Sequence, residues 1–287
     1  MSGARRLRRR LIPTPLLALS FALSLALSLG FSLLPVIWMV FTSFKTSDAV
    51  FGAPGRLLPP VWTLAAYRAV LGDGYFVVYF ANSLFVNLGA SIATVALATL
   101  AGYSFSRTRM RGKQAVMLGI LATQMFPSAV LLIALYVIFR DLGMLDSYAS
   151  LVLSYVTLGL PFSVWMMRGF AEAVPIDVEE AAMIDGCSRL QALWRVVVPM
   201  MLPGMIAVAL FSFLVGWNDL VWALTLTTSP SMRLIPPGFV ATYVGQFQTY
   251  WNQLMAGSVL VSLPTVIIFT LLQKYLVQGI TSGAVKG

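Results

Sequence analysis

Apolar residues in this chain come in long unbroken runs. A helix that crosses a bilayer needs about 20 predominantly apolar residues. Six stretches reach that length: 16–40, 76–105, 115–139, 148–167, 201–226 and 256–275. They predict an all-α integral membrane protein with six transmembrane helices in a single domain, 1–287. Three connections exceed a turn. Segment 42–75 carries Pro54, Pro59 and Pro60; segment 227–255 is polar and aromatic; segment 168–199 itself reads as helical. Residues 276–287 form a short tail. No internal repeat is evident.

Composition agrees. The 287 residues are 59% hydrophobic and 10% charged, with mean hydropathy +0.87. Soluble domains carry about 25% charged residues, so lipid must be the solvent for much of this surface. The net charge is +9. In a soluble chain that would suggest nucleic acid as a partner; here the basic residues sit between apolar runs and read as topology signals. Arg5, Arg6, Arg8, Arg9, Arg10, Arg107, Arg109, Arg111, Lys113, Arg168, Arg189, Arg195, Lys274 and Lys286 fall on one side. Lys45, Arg56, Arg68, Arg140 and Arg233 fall on the other. The positive-inside rule then makes both termini cytoplasmic. The N-terminal arginines precede a charge-free run from 16 to 44. A signal peptide's apolar core spans about 7–15 residues, so this run is expected to be a retained first helix.

Several chemistries are excluded. There is no histidine and one cysteine, Cys187. His-based metal sites, Ser-His-Asp triads and a disulfide within the chain are therefore impossible. A phosphate-binding GxxxxGK[ST] loop is absent; Gly112-Lys113-Gln114 lacks both the first glycine and the Ser/Thr. The chain is not expected to hydrolyse ATP or to hold a cofactor.

The inner connection carries the strongest signal. Asp177 with Glu180 resembles a capping box that starts a short helix. Gly186 can take the left-handed conformation that stops it. Ser188 with Gln191 is a second start signal, and Pro199 and Pro203 mark entry to the fifth span. Ala181 and Ala182 allow close approach by another backbone, while Glu179, Glu180 and Asp185 offer charge to a basic partner. A helix of this kind suits a groove in a soluble protein. The other reading, a helix resting on lipid, is weakened because lipid-surface helices are typically basic.

Glu180-Ala181-Ala182, three residues, Gly186, nine residues, then Val196-x-Val198-Pro199 resembles the EAA signature of ABC importer permeases, with valines for its Ile and Leu. The ending Gly279-Ile280-Thr281-Ser282-Gly283-Ala284-Val285-Lys286-Gly287 is similar to that of the maltose/trehalose-type carbohydrate permeases. Gly216-Trp217-Asn218-Asp219 is a third match. On these residues the chain is identified as a member of that family, as the second of its two permease subunits. The resemblance implies the type I importer fold and alternating access for a maltose-, maltodextrin- or trehalose-like sugar. It implies coupling through Glu179, Glu180, Ala181, Ala182, Asp185, Gly186 and Pro199. It also implies an ATPase-interface tail of Thr281, Ser282, Gly283, Val285, Lys286 and Gly287. The partners implied are a second permease, two copies of a cytoplasmic ATPase that binds ATP and Mg, and an extracytoplasmic sugar-binding protein. Segment 227–255 resembles the loop that reaches into that binding protein, with Tyr243, Phe247, Tyr250 and Trp251 as candidate contacts. Their alternative role is an aromatic belt at the interface.

Asn218 and Asp219 are expected within the fifth helix, either lining the pathway or pairing near the outer surface. Ser83, Asn87, Ser91 and Thr94 share one face of the second helix. Helix packing is the favoured reading of that face, and a pathway role for Ser83 and Asn87 is the other. Pro127, Pro161 and Pro264 are expected to interrupt helices three, four and six. The competing function is a stand-alone secondary transporter or channel, which would call for ion-relay charges and repeats. An integral-membrane enzyme would need clustered catalytic groups that the chain lacks.

Overall fold

Backbone polar groups inside a bilayer must bond to one another, and helices achieve this within one segment. The computed structural model describes residues 14–245 and 249–284, with side chains for 17–245 and 249–273. Among the described residues five helices are long and apolar enough to cross, and a bent pair supplies a sixth if taken as one span. The chain divides into two compact units, Met1–Arg68 with Trp251–Val259, and Ala69–Tyr250 with Leu260–Gly287.

In the first unit, α1 (Thr14–Ser43) runs without a charge. Its serines are tolerated because Ser20 and Ser24 donate to Leu17 and Phe21 carbonyls at 3.0 Å. Lys45 is buried beyond its end, with Nζ donating to the Arg56 carbonyl and lying 4.8 Å from the Trp38 ring centroid. A short α2 (Ser47–Gly52) follows, capped by Thr46. Asn252 Nδ2 donates to the Lys45 carbonyl at 3.3 Å.

Helix α3 (Ala65–Gly72) leads to the second unit, whose frame is α4 (Tyr75–Arg107) against two later spans. The buried face of α4 includes Ser83, Asn87, Ala90, Ser91, Thr94, Ala98 and Gly102. Lipid gives little hydrophobic reason for helices to associate, so small residues and interhelical hydrogen bonds do the work. Ser91 Oγ donates to the Ala209 carbonyl at 2.8 Å, and Ser83 Oγ accepts from the Ile235 amide at 2.9 Å.

The stretch 115–139, expected as one span, is broken. α5 (Lys113–Ala122) ends in a 3-10 turn, and α6 (Ser128–Asp141) leaves it at 93°. Pro127 is the cause. It forces Phe126 into an extended conformation (φ −74°, ψ 135°), which no helix can pass through. The other two prolines do not interrupt their helices. α7 (Tyr148–Ala173) runs through Pro161, and the last helix runs through Pro264.

The connection after α7 holds α8 (Ile176–Ile184) and α9 (Arg189–Ala192). α9 continues through a π-helical turn, Leu193–Val197, into α10 (Val198–Trp217), so one span covers Arg189–Trp217. Pro199 lacks an amide hydrogen and crowds the carbonyl four residues earlier, at Arg195, which accounts for the widened turn there. The fifth span is thus displaced from the expected 201–226. It stops at Asn218 because the Asp219 carboxylate accepts from the Trp222 and Ala223 amides (3.4 and 2.9 Å) and starts α11 (Val221–Leu226). α12 (Ile235–Tyr243) lies within the segment expected as an outer loop, and α13 (Trp251–Ala284) extends beyond the expected 256–275 at both ends.

Two apolar clusters lie along this unit. One gathers Val86, Ala90, Leu151, Tyr155, Trp222 and Leu226. The other gathers Ala98, Tyr103, Val164, Met167, Leu193 and Val197, beside the short helices.

Candidate functional site

α8 is held between two well-defined ends. Pro175, with φ −58°, is its N-cap. The helix therefore begins before Asp177, and the expected Asp177–Glu180 cap does not form; Asp177 lies in the first turn, where its charge complements the helix dipole. At the other end Gly186 has φ +94°. The Cys187 amide donates to the Ala182 carbonyl (3.0 Å) and the Gly186 amide to that of Met183 (3.1 Å), the paired bonds of a Schellman stop. Ser188 and Gln191 form a reciprocal capping box that starts the next helix.

Between these ends α8 has two faces. Glu180, Ala181, Ile184 and Asp185 are exposed, with Ile184 86% so, while Ala182 is half-buried. Glu179 is on the other face and only 3% exposed. Its Oε2 accepts from Arg107 Nε at 2.8 Å, and its Oε1 accepts from the Tyr103 hydroxyl. The expectation that Glu179 offers charge to another protein is therefore corrected: Arg107 and Tyr103, 72 and 76 positions earlier in its own chain, already hold both oxygens. Arg107 also donates from Nη2 to the Val174 carbonyl at 3.0 Å. One guanidinium thereby joins the ends of α4 and α7 and the body of α8. Beneath it, a Cβ on Gly102 would lie 2.7 Å from the Arg168 amide nitrogen and the Met167 carbonyl carbon, so only glycine lets the backbones of α4 and α7 come this close. Arg168 and Lys113 both face Glu172, at 2.8 and 3.8 Å.

A scan against family models matches residues 94–282 to the binding-protein-dependent transport system inner membrane component family. The chain belongs to that family. It is 34% identical over 255 residues to the diacetylchitobiose uptake system permease protein of Streptomyces coelicolor, covering 89% of this chain and 92% of the relative. The trehalose/maltose transport system permease protein of Thermococcus litoralis is 34% identical over 257 residues, with coverages of 89% and 92%. The trehalose transport system permease protein of Mycobacterium tuberculosis is 33% identical over 259 residues, with coverages of 90% and 94%. A crystal structure of a bacterial ABC transporter that imports alginate superposes with a TM-score of 0.78 at 24% identity, covering 91% of this chain and 96% of that one. The fold is thus that of a type I importer permease, and this permease is a multi-pass inner-membrane subunit of an ABC importer. Such a subunit works with an ATPase and a binding protein.

The remaining expected residues of the permease scatter. Ser83 and Asn87 are buried between helices; a Cβ on Gly216 would lie 2.1 Å from Asn87 Oδ1, so α10 packs directly on this side chain. Asn218 is exposed at the end of α10. Asp219 is outside the helix, where the Tyr155 hydroxyl donates to it at 3.1 Å. Tyr243, expected as a surface contact, is 3% exposed and bonds Asp73 at 3.2 Å. Tyr250 and Trp251 are exposed, whereas Phe247 lies outside the described residues. In the tail, Thr281, Ser282 and Gly283 are in the backbone of α13, and Val285, Lys286 and Gly287 lie outside the described residues.

At the opposite end from α8, Asp146 adopts φ 56° and ties down the segment after α11. Its carboxylate accepts from the Thr228 and Ser229 amides at 2.9 and 3.0 Å and from the Ser229 hydroxyl. Burial pushes its pKa up, but these bonds outweigh burial and hold it below the usual range.

Arg107 was visible in the sequence only as a topology charge, and Tyr103 and Ile184 carried no signal of a place at α8. The first two sit in an apolar-to-basic run that looked like a helix end.

Proposed function

We propose that this permease moves a di- or oligosaccharide of the maltose, maltodextrin or trehalose kind across the cytoplasmic membrane by alternating access, driven by a separate ATPase. The observation that carries the reading is α8: a short helix held rigidly on one side and open on the other. Its free face combines two exposed isoleucines, Ile176 and Ile184, with small residues and exposed acids, which suits a groove lined with basic and apolar groups. In this reading Glu180, Ala181, Ala182, Asp185 and Ile184 dock in the ATPase. Gly186 sets the angle of the turn and Pro199 the start of the span that follows.

The cargo class rests on relatives named for diacetylchitobiose, trehalose and maltose. ATP and Mg are held by two copies of the cytoplasmic ATPase, and this chain supplies no cofactor site. A second, different permease completes the pathway, and a sugar-binding protein delivers cargo outside. Both termini face the cytoplasm, which puts α8 on the ATPase side and Asn218, Tyr250 and Trp251 outside. Asn218 lines the pathway mouth, and Asp219 supports it through α11. Ser83 and Asn87 bind helices together rather than sugar. Residues 281–287 reach the ATPase interface.

Co-expression with a candidate ATPase and second permease tests the assembly; a chain that never co-purifies with them is not such a subunit. Screening maltose, maltotriose and trehalose for stimulation of hydrolysis by the reconstituted complex then identifies the cargo. Uptake by the chain alone, without ATP, would favour the stand-alone transporter.

A further inference from the structure

Glu179 directly precedes the Glu180-Ala181-Ala182 run, yet it has none of that run's exposure. We propose that Glu179 is a positioning residue: it pins α8 to the end of α4, so that displacement of α8 by the ATPase is passed to α4 and α7 as to one body. The proposal rests on the reading of α8 as the docking helix and assigns its inner face a separate task.

A buried carboxylate is tolerated only when its oxygens are paired. Here each oxygen has its own donor, Arg107 for one and Tyr103 for the other, and both donors lie in the last turns of α4. Sliding α8 against α4 would leave a buried charge unpaired, which is strongly unfavourable. The contact is therefore kept whole or lost whole, as a rigid coupling requires. Arg107 extends the grip to α7 through the Val174 carbonyl, and the glycine contact at Gly102 removes slack between α4 and α7. α8 also packs against α9 and the π-helical turn Leu193–Val197, which lead into α10. α7 runs into α8 through Val174 and Pro175, so the pin gives α4, which is distant in sequence, its own direct link to α8 and ties all three together.

The test uses the whole transporter in proteoliposomes: this chain, the second permease, the ATPase and the binding protein. Uptake of radiolabelled maltose or trehalose and ATP hydrolysis are read from the same sample for E179Q, R107Q, the double variant and Y103F, with E180Q for comparison. In E179Q and R107Q the ATPase should co-purify at the wild-type ratio while uptake per ATP falls about tenfold. The double variant should fall no further than the worse single one, because both remove one interaction. Y103F, the mildest change, should fall in the same direction by about threefold. E180Q should instead weaken retention of the ATPase.

Loss of the ATPase in E179Q would make Glu179 a docking residue and overturn the proposal. So would wild-type uptake per ATP in both single variants, or independent losses that multiply in the double. If E179Q and R107Q fail to assemble, unchanged coupling in Y103F overturns it equally. A wild-type chain that binds no ATPase would sink the docking reading as well; normal coupling in both wild type and E179Q would sink only the pin.

Discussion

Arg107 Nε lies 2.8 Å from Glu179 Oε2, with side chains only 12% and 4% exposed. The two residues join the last turn of a membrane span to a short helix outside it. Glu180, next along the chain, is rotated by about 100° around the helix axis and is exposed. Two adjacent glutamates therefore differ in what they touch: one faces its own chain, the other faces outward.

Removing one half of that buried pair should be costly. Arg107→Leu leaves the Glu179 carboxylate enclosed without its cation, a loss of roughly 3–5 kcal/mol. Arg107→Leu with Glu179→Leu removes both charges and should recover much of it. Thermal unfolding of the purified chain in detergent should place the double variant above the single one.

Gly102→Val should separate α4 from α7, since its first added atom would already meet the Met167–Arg168 backbone at 2.7 Å. Overpacking of this kind costs roughly 1–3 kcal/mol. The same unfolding assay should show a lowered midpoint. Gly119→Val, where a Cβ meets nothing within 4 Å, should leave it nearly unchanged.

The first, second, fourth and sixth spans were legible because lipid demands long apolar runs, while the break at Pro127 and the early start of the fifth span were not. The end of α8 was legible because a left-handed stop needs a glycine. What escaped the sequence was non-local. Nothing near Glu179 announces a partner 72 residues away, so its charge was read as available. The start of α8 was misplaced because Pro175 can begin a helix without the side-chain cap for which Asp177 was taken. Tyr243 looked like an outward aromatic, yet Asp73, 170 positions earlier, draws its hydroxyl inward. Asp219 looked like a membrane carboxylate because apolar residues flank it, whereas its own oxygens end one helix and start another.

Asp146 predicts a pH dependence. Its pKa is depressed in the folded protein, so its stabilising effect is fully present above the ordinary carboxylate value of about 3.9. The effect is lost as pH falls through the lower, folded value. The stability difference between wild type and Asp146→Asn should hold steady from about pH 7 to 5 and shrink only below about pH 4. A difference already vanishing at pH 6 would count against the Thr228–Ser229 lock.

Deleting residues 282–287 should leave insertion intact and lower sugar-stimulated ATP hydrolysis several-fold. Unchanged stimulation would show that the tail is a loose end.

The most direct measurement is ATP-driven sugar uptake by proteoliposomes carrying Glu180→Lys with Gly186→Pro. Lysine reverses the charge on the free face of α8, and proline cannot adopt the φ of +94° found at Gly186. The double variant should insert and assemble with the second permease, while ATP-driven uptake falls to background. Uptake at the wild-type rate would contradict a coupling role for α8.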